Sequence, residues 1–274
     1  LITGMVLAQF GNPLLSPLED QARIAMDSLA AHGDRLAFTT DSFVVDPLEF
    51  PGGDIGRLAV FGTVNDLAVS GARPLYLSCA LILEEGLELA LLGRMLGSMK
   101  EAAREAGVSI VTGDIKVVQR GAADKLFINT AGIGVVPAGV EIGAHRAAPG
   151  DVVIVNGHLG DHGAAILQAR GELALSAAIA SDCQSLHGLI DCMRTACPDI
   201  HCLRDATRGG LATVLNEFAQ SSGVGIRLDE GSLPVRDVVR GMCEILGLDA
   251  LYLANEGKLV AIVADKDAKR LSVV

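Results

Sequence analysis

From Ile55 to Ser70 apolar residues recur every three or four positions, the period of a helix that buries one face, and Gly71 with Pro74 beyond it stops the run. The same period returns over Leu89 to Glu105, closed by Gly107, and predicts a second amphipathic helix. Short apolar and β-branched runs alternate with them. These are Leu36 to Thr40, ending at Asp41; Leu75 to Leu83; Val108 to Val111, ending in Gly113-Asp114; and Leu126 to Val136, with two embedded glycines. Ahead of them, alternating apolar and acidic positions around Pro13 and Pro17 predict a short helix and a loop. The order from Leu36 is therefore β, α, β, α, β, β, an α+β layer with its helices on one face. Leu126 to Val136 is apolar on both faces, so the side of the sheet away from the helices is expected to be covered by a second copy, making the chain a homodimer.

Pro149-Gly150-Asp151 is the best boundary, dividing residues 1–148 from 149–274. Past it, Val152 to Val155 predicts a strand, Asp161 to Arg170 a helix, about 183–197 another, and Gly209-Gly210 opens a third that ends near Gly223. Ile226 to Leu228 predicts a short strand, Val235 to Leu246 a helix, Lys258 to Ala264 a strand, and Asp265 the start of a helix. The sequence closes at Leu271-Ser272-Val273-Val274 and opens on Leu, so residues are expected to be missing at both ends, with the last elements of the second domain incomplete.

Composition narrows the class. Half of the 274 residues are hydrophobic and 20% are charged, which excludes disorder as the general state. No apolar run approaches the ~18 residues of a membrane span and no basic leader precedes the first hydrophobic stretch, so the chain reads as soluble and cytosolic. Twenty-two basic against 33 acidic residues, a charge of −11, argue against nucleic acid and anionic membranes as partners, so a phosphate-bearing ligand has to be held locally. With no Trp and two Tyr there is no stacking platform, whereas 32 Gly point to tight loops near a ligand. The six cysteines, Cys79, Cys183, Cys192, Cys197, Cys202 and Cys243, are read as reduced. Four of them lie in 183–202 beside His187 and His201 but lack the C-x-x-C pairing of a strong zinc motif, which leaves buried helix side chains or a metal site as readings.

Three carboxylates stand at expected element ends or inside a helix: Asp41, Asp66 in Asn65-Asp66, and Asp114. Either they are turn formers, or they converge on a hard cation bridging polyphosphate, because Mg²⁺ takes oxygen ligands. Asp66 interrupts the apolar face of Leu58, Phe61, Val64, Leu67 and Ala68, where an unpaired carboxylate is costly. Lys116 shares a strand side with Asp114 and either meets phosphate or is an exposed edge lysine. Asp205-Ala206-Thr207-Arg208-Gly209-Gly210 offers backbone N–H groups and a guanidinium to an anion at a helix start. In Asn255-Glu256-Gly257-Lys258, Glu256 is a candidate general base and Lys258 an anchor, with a solvated turn as the plainer reading. His162 in Gly160-Asp161-His162-Gly163 either faces a ligand or is a spectator in a capping turn. No Gly-x-Ser-x-Gly, Walker loop or His-Glu-x-x-His occurs.

These motifs carry a resemblance. Thr40-Asp41-Ser42 with Asp46-Pro47 and Pro51-Gly52-Gly53, Gly62-Thr63-Val64-Asn65-Asp66-Leu67-Ala68-Val69-Ser70-Gly71, and Thr112-Gly113-Asp114 to Gly121 are similar to the HypE family of hydrogenase maturation proteins. Gly160-Asp161-His162-Gly163, Arg204-Asp205-Ala206-Thr207-Arg208-Gly209-Gly210 and Leu253-Ala254-Asn255-Glu256-Gly257-Lys258 extend the resemblance over nearly the whole chain. More broadly it looks like the PurM-like superfamily of aminoimidazole ribonucleotide synthetase, selenophosphate synthetase and thiamine-monophosphate kinase.

The resemblance implies a two-domain α+β fold: an N-terminal ATP-binding domain that dimerises into a β-barrel, and a C-terminal α+β domain. It implies that a carbamoyl group, placed by HypF on a C-terminal cysteine thiol, is dehydrated with ATP to a thiocyanate, whose cyanide passes through a HypC–HypD complex to the iron of a nickel–iron hydrogenase. By position it makes Asp41, Asp66 and Asp114 the Mg²⁺ ligands, with Asn65, Lys116, Gly209 and Gly210 on the nucleotide. Glu256, Lys116, Asp205 and Arg208 become the catalytic set. The family's Gly-rich His-Gly-Ser-Gly-Gly segment and its closing Pro-Arg-Ile-Cys tail fall outside the sequence, so the chain as written is expected to be catalytically inactive. Ile115 stands where the family has Thr. Another ATP-dependent superfamily activity, selenophosphate or aminoimidazole ribonucleotide synthesis, and a nucleotide-switched docking module are the alternatives.

Overall fold

A computed structural model of the chain describes residues 2–171 and 178–271 and divides into two compact units. The first comprises residues up to Glu49, Gly53–Ala68 and Ala72–Ala138; the second comprises Phe50–Gly52, Val69–Gly71 and everything from Gly139 onward.

In the first unit, after a π-helical turn at Ile2–Val6, α1 (Leu7–Phe10) and α2 (Met26–Ala30) lead to β1 (Arg35–Phe43). Two short segments, β2 (Glu49–Phe50) and β3 (Gly53–Asp54), precede α3 (Ile55–Val69), followed by β4 (Arg73–Glu84), α4 (Leu89–Ala106), β5 (Ser109–Val118) and β6 (Leu126–Val136). The four long strands form one sheet in the order β1-β6-β4-β5. β6 is antiparallel to both neighbours, and the parallel β4–β5 pair is joined through α4, the long crossover that parallel strands require. α3 packs on the sheet by polar as well as apolar contacts: Thr63 is hydrogen-bonded to Thr130 of β6, whose hydroxyl also donates to the Ala59 carbonyl. Nearly every residue of α3 is buried, whereas α4 buries one stripe, Leu92, Met95, Leu96, Met99, Ala102, Ala103 and Ala106. Each fully buried Leu or Met contributes about 1.5–3 kcal/mol.

The sequence of elements agrees with expectation, but two strands run further. β1 continues through Asp41 to Phe43, and β5 continues through Gly113, Asp114 and Lys116 to Val118. β4 is long enough to pair with β5 out to Glu84↔Val118, with a register irregularity at Leu77/Ser78. Gly113-Asp114, a turn signal in isolation, is thus overridden by pairing. The face of β1 away from α3 is open, with Leu36 and Phe38 exposed, the latter by 72%.

The second unit contains β7 (Asp151–Val155), α5 (Asp161–Ala169), α6 (His187–Ala196), β8 (Cys202–Asp205), α7 (Gly210–Ser222), α8 (Asp237–Leu246), β9 (Leu259–Ala264) and α9 (Asp265–Leu271). β9 is the central strand of a three-stranded sheet, antiparallel to β7 on one side and β8 on the other. Leu159, Leu211, Leu215 and Phe218 pack with Cys202, Val260 and Ile262, and a second cluster joins Ala164, Ala165, Ile179, Val239 and Met242. Ile226 to Leu228 forms no strand, a correction explained by the absence of a neighbour for so short a run among the paired strands. α6 begins at His187 rather than near 183, because the residues before it are engaged elsewhere, as described below. α8 begins at Asp237 rather than Val235, just beyond Pro234. Ser272-Val273-Val274 lies outside the described residues, as does the stretch 172–177. No helix among the described residues is long and apolar enough to cross a membrane.

Candidate active site

In the first unit, alternation along β1 puts Thr39, Asp41 and Phe43 on the side facing α3. Thr39 Oγ1 donates to Asp66 Oδ2 at 2.9 Å, and Asp41 Oδ2 lies 3.7 Å from where a Cβ on Gly62, one turn before Asp66, would stand. Asp41 and Asp66 therefore share the space between α3 and the sheet, Asp41 standing two strand positions, a rise of about 7 Å, beyond the Thr39 that donates to Asp66. Asn65, the residue before Asp66 in α3, is buried, 1% exposed. The half-buried Asp66 thus has the partner that its position on an apolar face demanded.

Asp114 stands elsewhere. Its register partner is Ala80 of β4, which in turn pairs with Asn129 of β6 and, through it, with Ser42 of β1; these residues belong to the open face. Asp114 and Lys116 are both exposed there and form an ion pair at 3.0 Å. The Lys116 ammonium, and then the Ile115 N–H donating to Oδ1, hold the Asp114 carboxyl below the usual carboxylate range. The structure thus brings Asp41 and Asp66 together and separates Asp114 from them by the thickness of the sheet. Among the described residues no group of three or more His, Cys, Asp or Glu side chains is disposed to hold a metal ion. One Mg²⁺ held by all three aspartates of a single chain does not fit; a cation on the Asp41–Asp66 face, completed by phosphate and water, fits the ion's habit of taking only one or two carboxylates.

In the second unit the C-terminal ends of β7 and β8 and the N-terminal end of β9 lie together, as the pairs Val155↔Val260 and Asp205↔Leu259 require. Three loops therefore meet at one end of the sheet: Asn156 to Gly160, Ala206 to Gly209, and Asn255 to Lys258. Asn255, 1% exposed, ties them: its Oδ1 accepts from Gly160 N–H at 2.7 Å and its Nδ2 donates to the Ala206 carbonyl at 2.8 Å. Asp205 is half-buried at the end of β8, and Arg208 is exposed in the loop before α7. Arg204, the residue before Asp205, is ion-paired with Glu217. Gly210 has φ +57°, and a Cβ there would stand 2.4 Å from the Leu251 carbonyl oxygen, so only glycine admits this approach.

The Asn255–Lys258 loop is held by a residue that the sequence pattern does not reveal. Asp182 accepts from the Glu256 N–H at 3.0 Å, the Gly257 N–H at 3.1 Å and the Lys258 ammonium at 2.8 Å. The Asp182–Lys258 side chains are 4% and 7% exposed. The Gly257 carbonyl accepts from Asn156 Nδ2 and Gln184 Nε2, and a Cβ on Gly257 would lie 2.0 Å from the Asp182 carbonyl oxygen. Asp182 directly precedes the helix expected from about 183 and draws no reading of its own; α6 in fact starts at His187, five residues beyond it.

His162 in α5 is buried, its ring edge-on to Phe50 at 5.5 Å between centroids. Its Nδ1 is 2.8 Å from Ser181 Oγ and its Nε2 is 3.9 Å from Glu256 Oε1, the Glu256 side chain being 17% exposed. Burial pushes the imidazole pKa down to about 4 despite the opposing charge of Asp182, so His162 is neutral at pH 7. Lys258, expected as an anchor for a ligand, is instead the buried counter-ion of Asp182. Of the clustered cysteines, Cys183, Cys197 and Cys202 are buried and Cys192 is exposed; all six are free thiols, and burial pushes those of Cys197 and Cys202 up.

Fold and loop arrangement together define a class, that of the AIR synthase related proteins: the family model of their N-terminal domain matches residues 19–136 and that of their C-terminal domain residues 148–273. The chain is 56% identical over 271 residues to the carbamoyl dehydratase HypE of Escherichia coli strain K12, covering 99% of this chain and 80% of that one. It is 61% identical over 251 residues to the carbamoyl dehydratase HypE of Rhodobacter capsulatus, covering 92% and 74%. The chain belongs to the HypE family. A crystal structure of hydrogenase maturation protein HypE in complex with ATP superposes with a TM-score of 0.93 at 50% identity, covering 100% of this chain and 80% of that one. A HypE–HypF complex gives 0.84 at 46% identity, covering 98% and 87%.

Proposed function

We propose that the chain is an ATP-dependent carbamoyl dehydratase of nickel–iron hydrogenase maturation. It converts an S-carbamoyl cysteine, R–S–CO–NH₂, to the thiocyanate R–S–C≡N as ATP becomes ADP and phosphate, the amide oxygen leaving on the phosphate. The observation that carries this reading is the shielded Glu256 carboxylate on a clamped loop beside a neutral histidine. Making a nitrile requires two N–H protons to leave, and a carboxylate kept from water and held in place is suited to take them. Asp205 and Arg208 belong to the same loop cluster, with the Arg208 guanidinium as its cation for an anion; the Gly210 N–H, expected to serve there, instead donates to the Thr207 carbonyl at 3.0 Å.

Residues 1–148 are the nucleotide and dimerisation domain and residues 149–274 the domain that carries the reacting loop. Asn65, Asp66 and Asp41 serve the nucleotide and its Mg²⁺ from the helix face. Asp114 and Lys116 stand on the face that a second copy covers, so their contact to phosphate is made at the homodimer interface. HypF supplies the carbamoyl group, as the complex between relatives suggests, and a HypC–HypD complex receives the cyanide. The reaction belongs in the cytoplasm, where the free thiols stay reduced.

The family's closing cysteine tail falls outside the sequence and the chain as written is expected to be inactive alone, so the test supplies that group in trans: the chain is incubated with ATP and a peptide ending in S-carbamoyl cysteine, following phosphate release and the mass of the peptide. Loss of one water from the peptide, dependent on ATP and abolished by Glu256→Gln, is expected. An unaltered peptide with the wild-type chain would overturn the proposal.

A further inference from the structure

We infer that Ser181, Asp182 and His162 are positioning residues that set the aim and the basicity of Glu256; the inference rests on the reading of Glu256 as the base. Two adjacent residues hold the two sides of the Glu256–His162 gap. Asp182 takes the backbone N–H of Glu256 itself, that of Gly257 and the Lys258 ammonium, which fixes the loop from which the Glu256 side chain projects. Ser181, one residue earlier, fixes His162 through its hydroxyl. Its own backbone is tied as well, because Ser181 N–H donates to the Pro51 carbonyl at 2.7 Å, beside the Phe50 ring that packs on the imidazole edge.

The surroundings select the tautomer. Ser181 Oγ accepts from the Cys183 N–H at 3.1 Å and has its own hydrogen to donate to His162 Nδ1, the arrangement in which the other ring nitrogen turns an N–H rather than a lone pair toward the Glu256 carboxylate. The ring hydrogen therefore sits on Nε2, the atom that faces Glu256 Oε1. An N–H directed at a carboxylate favours its ionised form, and His162 Nε2 is aimed at Glu256 Oε1 from 3.9 Å, longer than a hydrogen bond but close enough for its dipole to act on the carboxylate. Of the charges near the pair, the Asp182 carboxylate acts on His162 and is itself paired with the Lys258 ammonium at 2.8 Å. His162 is thus a donor to the base rather than a second base.

The test compares the pH dependence of turnover in the wild type with Ser181→Ala, Ser181→Thr, His162→Phe, His162→Gln and Glu256→Gln, using the S-carbamoyl peptide and ATP. Ser181→Ala and His162→Phe are expected to lower kcat by about ten- to a hundred-fold and to move the acidic limb of the profile up by about one pH unit. Ser181→Thr, which keeps the hydroxyl, and His162→Gln, which keeps an N–H donor, should restore that limb to its wild-type position. In the wild-type chain, ¹⁵N shifts of the imidazole should report the Nε2–H tautomer without any variant. A wild-type acidic limb in both Ser181→Ala and His162→Phe, or an Nδ1–H tautomer, would overturn the inference. Full turnover in Glu256→Gln would instead remove the base assignment on which it rests.

Discussion

Removing Asp182 should cost more stability than removing Lys258, although the two form a single ion pair. Both side chains are almost fully buried and meet at 2.8 Å, so losing either leaves the other charge desolvated and unpaired, a change worth about 3–5 kcal/mol. Asp182 additionally receives two backbone N–H groups, from Glu256 and Gly257, at 3.0 and 3.1 Å. In Lys258→Met the carboxylate keeps these two donors. In Asp182→Ala the ammonium is stranded and both N–H groups lose their acceptor, which adds about 1 kcal/mol for each. Asp182→Ala should therefore lie about 2 kcal/mol below Lys258→Met, which at ~2–4 °C per kcal/mol separates their Tm values by about 4–8 °C. The double variant should recover part of the loss, because the stranded ammonium is then gone. Thermal unfolding followed by circular dichroism, with amide exchange at 256–258 as the local readout, measures this. Equal Tm values for the two single variants, or faster exchange in Lys258→Met, would refute the reasoning.

His162, held neutral with a pKa of about 4 against an ordinary 6.5, binds a proton in the unfolded chain before it does so in the folded one. Stability is therefore complete above about pH 6.5 and declines as pH falls toward 4, by up to about 3 kcal/mol; His162→Gln should flatten the Tm-against-pH curve over that window, and parallel curves would contradict the assignment. Asp66→Asn should abolish ATP turnover while leaving Tm within a few degrees of wild type, since Thr39 can still donate to an amide oxygen; phosphate release near the wild-type rate would remove Asp66 from the nucleotide site. Phe38→Asp, on the open face of β1, should convert a dimer to a monomer in light scattering, and a dimer unaffected by that charge would place the interface elsewhere.

Element type and order were legible because burial follows periodicity. The continuous run of Leu126 to Val136 is a strand with the bounds its sequence predicts, and α3 and α4 end within a residue of theirs. What misled was punctuation. Asp41 and Gly113-Asp114 look like strand ends because Asp and Gly favour turns, yet both lie inside strands whose neighbours are long enough to hold them. That extension matters to the site: once β5 continues, alternation directs Asp114 to the open face, opposite Asp41 and Asp66. A set of acidic residues chosen by spacing cannot carry that information, because a strand shifted or extended by one position changes which face each side chain takes.

The second unit shows the converse. Glu256 and Asn255 were visible because a polar tetrapeptide between apolar runs is conspicuous, but their function depends on residues more than seventy positions earlier. Ser181-Asp182 carries no local signal, since a short polar pair in a loop ahead of an apolar run is ordinary turn chemistry. Its role arises only when β9 returns to the centre of the sheet and sets the Asn255–Lys258 loop against it. Lys258 illustrates the same dependence: placed by sequence where a cation would meet a ligand, it is instead the buried counter-ion of Asp182. On the proposed reading that loop takes a proton rather than binding an anion, and the exposed Arg208 is the cation of the cluster, since the Gly210 N–H at the start of α7 is already donated to the Thr207 carbonyl.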